Sequence, residues 1–128
     1  MKKLFKSILI PWLSGKAYSK IDKEQYAEAI ELLLKITHIE QNSEAREADY
    51  YHLGFCYFKC KDFNKALPWF EKSYNRFNQK KTQLESSFYK SLLYYYSQAL
   101  RANKLSEKAT ILEREYEKVC ENSGKSDR

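Results

Sequence analysis

Turn formers are scarce in this chain: 3 Gly and 2 Pro in 128 residues. A β-sandwich or barrel needs many tight turns, so that class is set aside. Histidine is scarcer still, with only His38 and His52. No glycine-rich phosphate loop can be built from Gly15, Gly54 and Gly124. No Ser/His/Asp set lies in a nucleophile-elbow context, so no enzyme is expected. There is no run of about 20 apolar residues, the length a spanning helix needs. Three cysteines are too few and odd in number for a disulfide framework, which suits a reducing compartment and suggests a cytoplasmic protein.

Aromatics are abundant: 11 Tyr, 7 Phe and 2 Trp. Apolar residues make up 43% of the chain, enough to close a core. The formal charge of +6 is unevenly spread. Residues 1–20 hold five Lys and no acid, while residues 21–50 hold 3 basic and 8 acidic residues. Residues 51–104 hold 10 basic and 3 acidic, and residues 105–128 hold 5 and 6. No block of like charge is long, so most of these charges read as solvated helix faces.

Apolar residues recur at three- and four-residue spacing, the period of a helix. The stripes are Tyr26/Ala29/Ile30/Leu33, Tyr50/Leu53/Gly54/Tyr57, Phe63/Ala66/Leu67/Phe70/Tyr74, Leu92/Tyr95/Tyr96/Ala99 and Leu105/Ala109/Leu112/Tyr116. The breaks carry cap chemistry: Asp22 with Gln25 as a capping box, Ser43, Asp62, and Asn103 or Ser106. Six helices are expected, at about 5–19, 22–38, 43–60, 63–77, 82–102 and 105–120. Short links force antiparallel neighbours, giving three helix hairpins that must stack to bury their apolar faces. The expected organisation is one all-α domain over 1–120, with 1–10 a basic and apolar arm and 121–128 a disordered tail.

Residues 47–80 resemble a tetratricopeptide repeat (TPR). Tyr50, Leu53, Gly54 and Tyr57 fall in register on the first helix, and Ala66 and Phe70 on the second. Ser73 stands where the family usually has Ala, and the closing Pro is absent, with Asn78 near its place. Gly54 in mid-helix costs about 1 kcal/mol against Ala, tolerable where a neighbouring helix packs on the bare backbone. The flanks match less well. Tyr26, Ala29 and Leu33 match Phe63, Ala66 and Phe70 at an offset of 37. Leu105 and Leu112 match Phe63 and Phe70 at 42, which sets Tyr95-Tyr96 against Leu53-Gly54 and Lys108 against Ala66.

The resemblance implies a concave groove lined by the first helix of each hairpin. It places the partner-binding positions at Ala48, Tyr51, Phe55, Phe58 and Lys59. The third hairpin adds Lys90, Leu93, Ser97, Leu100 and Arg101; the first adds Ser14 and Tyr18. The family's carboxylate clamp needs polar side chains where Tyr51 and Phe55 stand, so a mixed aromatic and basic groove for a peptide or helix is preferred. Against this, Phe55 and Phe58 could simply pack on a neighbouring hairpin, because a helix apolar nearly all round is usually buried.

The implied function is a non-catalytic protein–protein interaction module: an adaptor, assembly factor or inhibitor, with no small-molecule substrate and no cofactor. Two alternatives come from the charge and aromatics. Lys2, Lys3 and Lys6 with Phe5, Ile8, Leu9 and Trp12 would form a short basic amphipathic helix able to touch a membrane, unless these apolar residues cap the first hairpin. The basic middle of the chain could meet nucleic acid, the weaker reading. Self-association through the aromatic face is a further alternative. His52, Cys56 and Cys60 share one helical stripe but spread over about 12 Å, too far to close on one metal ion.

Overall fold

The computed structural model describes residues 3–39, 47–80 and 87–126. They form six α-helices: α1 (Lys3–Asp22), α2 (Tyr26–Ile39), α3 (Glu47–Lys59), α4 (Phe63–Lys80), α5 (Ser87–Ala102) and α6 (Ser106–Ser126). No strand occurs among the described residues. Helices pair as α1·α2, α3·α4 and α5·α6, and the pairs stack through α2·α3, α4·α5 and α3·α5. The three expected hairpins are present. The expected cap at Ser43 and the expected helix start at 82 lie outside the described residues. At the other end α6 continues to Ser126, past the expected stop at 120.

One turn joins each pair, and it is the same turn three times. Glu24, Lys61 and Lys104 adopt positive φ of 59°, 63° and 63°. The next amide donates back into the preceding helix each time: Gln25 to the Lys20 carbonyl at 2.8 Å, Asp62 to Tyr57 at 2.9 Å, Leu105 to Leu100 at 2.8 Å. This is the Schellman end of a helix, normally a glycine's task, here performed by charged residues in the left-handed region. The turn corrects two expected caps. Asp22 closes α1 rather than opening α2, whose first accepting carbonyl belongs to Gln25. The corresponding carbonyl before α6 is that of Leu105, not Asn103 or Ser106. At Asp62 the cap holds weakly: its Oδ1 accepts from the Lys65 amide at 3.4 Å.

These turns also set the repeat register. Lys61 follows Glu24 by 37 residues, as expected, but Lys104 follows Lys61 by 43, not 42. The third hairpin therefore aligns one residue later. Ala29, Ala66 and Ala109 then share one position, and all three are wholly buried. Ala17, Gly54 and Ser97 share the small-residue position on the first helices, all buried. The pair matching Leu53-Gly54 is Tyr96-Ser97, and Lys108 displaces nothing.

Two apolar cores meet at α3. One takes Leu53 and Cys56 with Ile10, Leu13 and Ala17 of α1 and Ala29, Leu33 and Ile36 of α2. The other takes Tyr51 with Ala66, Phe70 and Phe77 of α4, Leu92, Leu93 and Tyr96 of α5, and Ala109 and Leu112 of α6. Polar ties cross the second core. Ser73 Oγ donates to the Glu47 carbonyl at 2.8 Å. Glu115 of α6 accepts from Tyr74 at 2.7 Å and, through its other oxygen, from Tyr89. One carboxylate thus fastens α4, α5 and α6.

Gly54 sits where α3 meets the Phe70 ring. A Cβ there would stand 2.6 Å from Cε1 of that buried ring. Gly54→Ala gains about 1 kcal/mol of helix propensity but overpacks a rigid site, which costs roughly 1–3 kcal/mol. A net loss of stability is expected, read as a lower urea midpoint, with Phe70→Leu in the same chain recovering part of the strain. A rise in midpoint for Gly54→Ala alone would contradict this packing.

Candidate functional site

The first helices of the three hairpins share one side of the stack. A hollow of about 290 Å³ lies between them, lined by Tyr18, Ile21 and Asp22 of α1, Ala48 and His52 of α3, and Phe88 of α5. Rings line up along it: Tyr18 and His52 at 4.9 Å, His52 and Phe88 at 5.3 Å, Phe88 and Tyr51 at 5.8 Å. His52 Nδ1 donates to the Ala48 carbonyl at 2.7 Å, which fixes its tautomer and turns the ring. A second hollow, about 390 Å³, follows on α5 and α6, lined by Lys90, Ser91, Tyr94, Tyr95 and Tyr116. The two are bridged by the seam Tyr51, Phe55 and Tyr95, with ring separations of 6.0 and 5.1 Å.

The expected site residues divide. Ala48 lines the first hollow and Lys90 the second. Phe55 is half-buried, held between Tyr26 at 6.0 Å and Tyr95 at 5.1 Å. Phe58 is half-buried against Phe63 and Tyr95, both at 5.2 Å. Lys59 is exposed, its Nζ 5.5 Å from the Phe55 ring. Tyr18 lines the first hollow and Ser14 is buried. Tyr51 is buried against Phe70 and Phe88 and hydrogen-bonds Ser91 of α5. It is a core residue beneath the exposed rings, not a surface one.

Leu93, Ser97 and Leu100 are buried core residues, Ser97 donating to the Tyr94 carbonyl at 2.8 Å. They are the residues displaced by the one-position register error. In the true register Tyr51 and Phe55 correspond to Tyr94 and Gln98, both exposed, and Ala48 to Ser91. Arg101 is exposed but committed. Its Nε and Nη2 reach the two Glu113 oxygens at 2.7 and 2.5 Å, and Nη2 also donates to Thr110 Oγ1 at 3.2 Å. That bidentate pair lowers the Glu113 carboxyl below its ordinary range and leaves little of the guanidinium for a ligand. The signal that would have located Ser91 and Tyr94 was the buried-alanine position: aligning Ala109, not Lys108, with Ala66 brings them opposite Ala48 and Tyr51.

No family model and no curated protein sequence matches the chain. A solved structure does: a Podosopora anserina protein, provisionally described as a kinesin light chain, with nearly identical TPR-like repeats. It superposes with a TM-score of 0.65 at 17% sequence identity, over 91% of this chain and 57% of that one. The fold is TPR-like. At that identity the likeness shows architecture alone, and the present chain spans little more than half of its structural neighbour. TPR-like folds generally mediate protein–protein interaction, through extended concave surfaces.

Burial shifts the titration of several tyrosines and of Cys56. It pushes the Tyr51 and Tyr74 hydroxyls up to about 12, the latter also through the Glu115 carboxylate. The same two causes, burial first, raise Tyr89. Burial pushes the Cys56 thiol up to about 12, so it stays protonated, while Cys60 lies exposed in the turn. Each group holds its proton more tightly folded than unfolded. Its contribution is complete below the ordinary value, 9 for the thiol and 10 for tyrosine, and is lost as pH climbs toward 12. The urea midpoint should be level up to about pH 9 and fall steeply above about pH 10. A midpoint that stays constant to about pH 11.5 would contradict the burial of these hydroxyls.

Proposed function

We propose that the chain is a non-catalytic protein-interaction module whose concave side takes a partner peptide or helix. The observation that carries this reading is the row of aromatic rings across the first helices, two of them well exposed: Phe88 at 41% and Tyr94 at 45%. Apolar rings held open to water beside two adjoining hollows offer anchoring places for apolar side chains. The groove floor is rigid because Tyr51, Leu93 and Ser97 beneath it belong to the core. A preordered floor lowers the entropic cost of binding.

Lys59 and Lys90 stand beside the rings and favour a partner carrying an acidic group next to its apolar anchors. Ala48, Phe55 and Phe58 complete the wall. An adaptor, an assembly factor or an inhibitor that masks its target would all work through this face.

The test is affinity capture from native cell extract, with wild type beside Phe88→Gln/Tyr94→Gln. Both side chains are exposed, so the variant should keep its fold, checked by circular dichroism. One protein held by wild type should weaken by roughly tenfold or more in the variant, and Lys90→Glu should weaken it further. Capture that is equal for wild type and the folded variant would refute the groove reading.

A further inference from the structure

We infer that the outer face of α1 is a docking surface for an anionic lipid bilayer, separate from the groove. α1 is apolar on two opposite sides. Ile10, Leu13 and Ala17 point into the core with α2 and α3. Phe5, Ile8 and Trp12 follow one another at three- and four-residue spacing on the other side, exposed by 54%, 66% and 54%. The segment thus fulfils only half of the capping role its composition allowed: one set of apolar residues caps the hairpin, and the other is left facing water.

The occupant follows from shape and charge. The face is a ridge, not a groove: a Cβ built on Gly15, one turn beyond Trp12, meets nothing within 4 Å. None of the hollows described above lies on this face. A peptide or helix needs walls on both sides, whereas a bilayer accepts a ridge. The charge is of one sign, since α1 carries no acid before Asp22. Lys6 lies next to Phe5 in sequence, and the Lys16 ammonium stands 4.3 Å from the centre of the Trp12 ring. Lys20 is set aside because Glu28 of α2 pairs with it at 2.7 Å. Phe and Trp at headgroup depth with Lys reaching back to phosphates is the arrangement of helices that lie on membranes. No helix among the described residues is long and apolar enough to cross one, so the contact is peripheral.

Neither a single apolar patch nor a few lysines suffices alone, so binding should need both. The full-length chain is sedimented with vesicles of phosphatidylcholine containing about 30% phosphatidylglycerol, with pure phosphatidylcholine as control. The bound fraction should fall roughly fivefold or more on removing the anionic lipid, on raising salt to about 0.5 M, or in Phe5→Gln/Ile8→Gln/Trp12→Gln. In a Trp69→Phe background the remaining Trp12 emission should shift to the blue on anionic vesicles. Three results would overturn the inference: no binding of the folded wild type to anionic vesicles, equal binding by the folded triple variant, or a concentration-dependent dimer that the triple variant abolishes, which would assign the ridge to a second copy.

Discussion

α3 has to serve two cores at once, and the rest of the molecule is arranged around that demand. Its 13 residues give Leu53 and Cys56 to the first hairpin and Tyr51 to the second and third. A helix used on two sides has little room for bulk where its partner crosses, so Gly54 lies bare against Phe70. Ala66 on α4 makes the same concession from the other side. Close approach of the two axes is what lets Tyr51 reach through to Phe88 and Ser91 on α5. His52, Phe55 and Phe58 of α3 add ring contacts with Phe88 and Tyr95, so the third hairpin rests on α3 as well as α4.

The same demand creates the candidate groove. Large rings cannot all be accommodated between closely packed helices. Those on the first-helix side are left half-covered, edge against face, where Tyr18, His52, Phe55, Tyr95 and Phe88 succeed one another. Half-covered rings stay ordered through contact with each other and still offer apolar surface to a partner. The unusual tyrosine content thus has two uses. Tyr51, Tyr89 and Tyr96 fill the second core, and Tyr18, Tyr94 and Tyr95 line the two hollows. The hydroxyl that each tyrosine brings is satisfied where it is deepest, as at Ser91 and Glu115.

Much of this was legible in the residues. Helical spacing gave six helices in three pairs, and Tyr50, Leu53, Gly54, Tyr57, Ala66 and Phe70 pointed to the repeat. The site was harder to read because it depends on register. Leu105 and Leu112 made a plausible match at an offset of 42, since leucine is apolar at either place. Lys104 at positive φ and buried Ala109 fix the offset at 43. One residue turns a helix by about 100°, enough to exchange surface positions for core ones: Leu93 and Ser97 lie inside, while Ser91 and Tyr94 line a hollow. The left-handed turn residues were hidden for a related reason. Glutamate and lysine carry no glycine-like mark of that conformation. The bond from Tyr74 and Tyr89 to Glu115 joins residues far apart in sequence, and no local pattern announces it.

Hydrogen exchange of the native chain tests the shared role of α3 most directly. If two cores meet on it, the amides of Leu53 to Cys56 open only with global unfolding, and their exchange free energy equals the stability measured in urea. The outer helices α1 and α6 should exchange through smaller, local openings. Exchange from the middle of α3 as fast as from α1 or α6 would show instead that the hairpins are independent units with no core shared through α3.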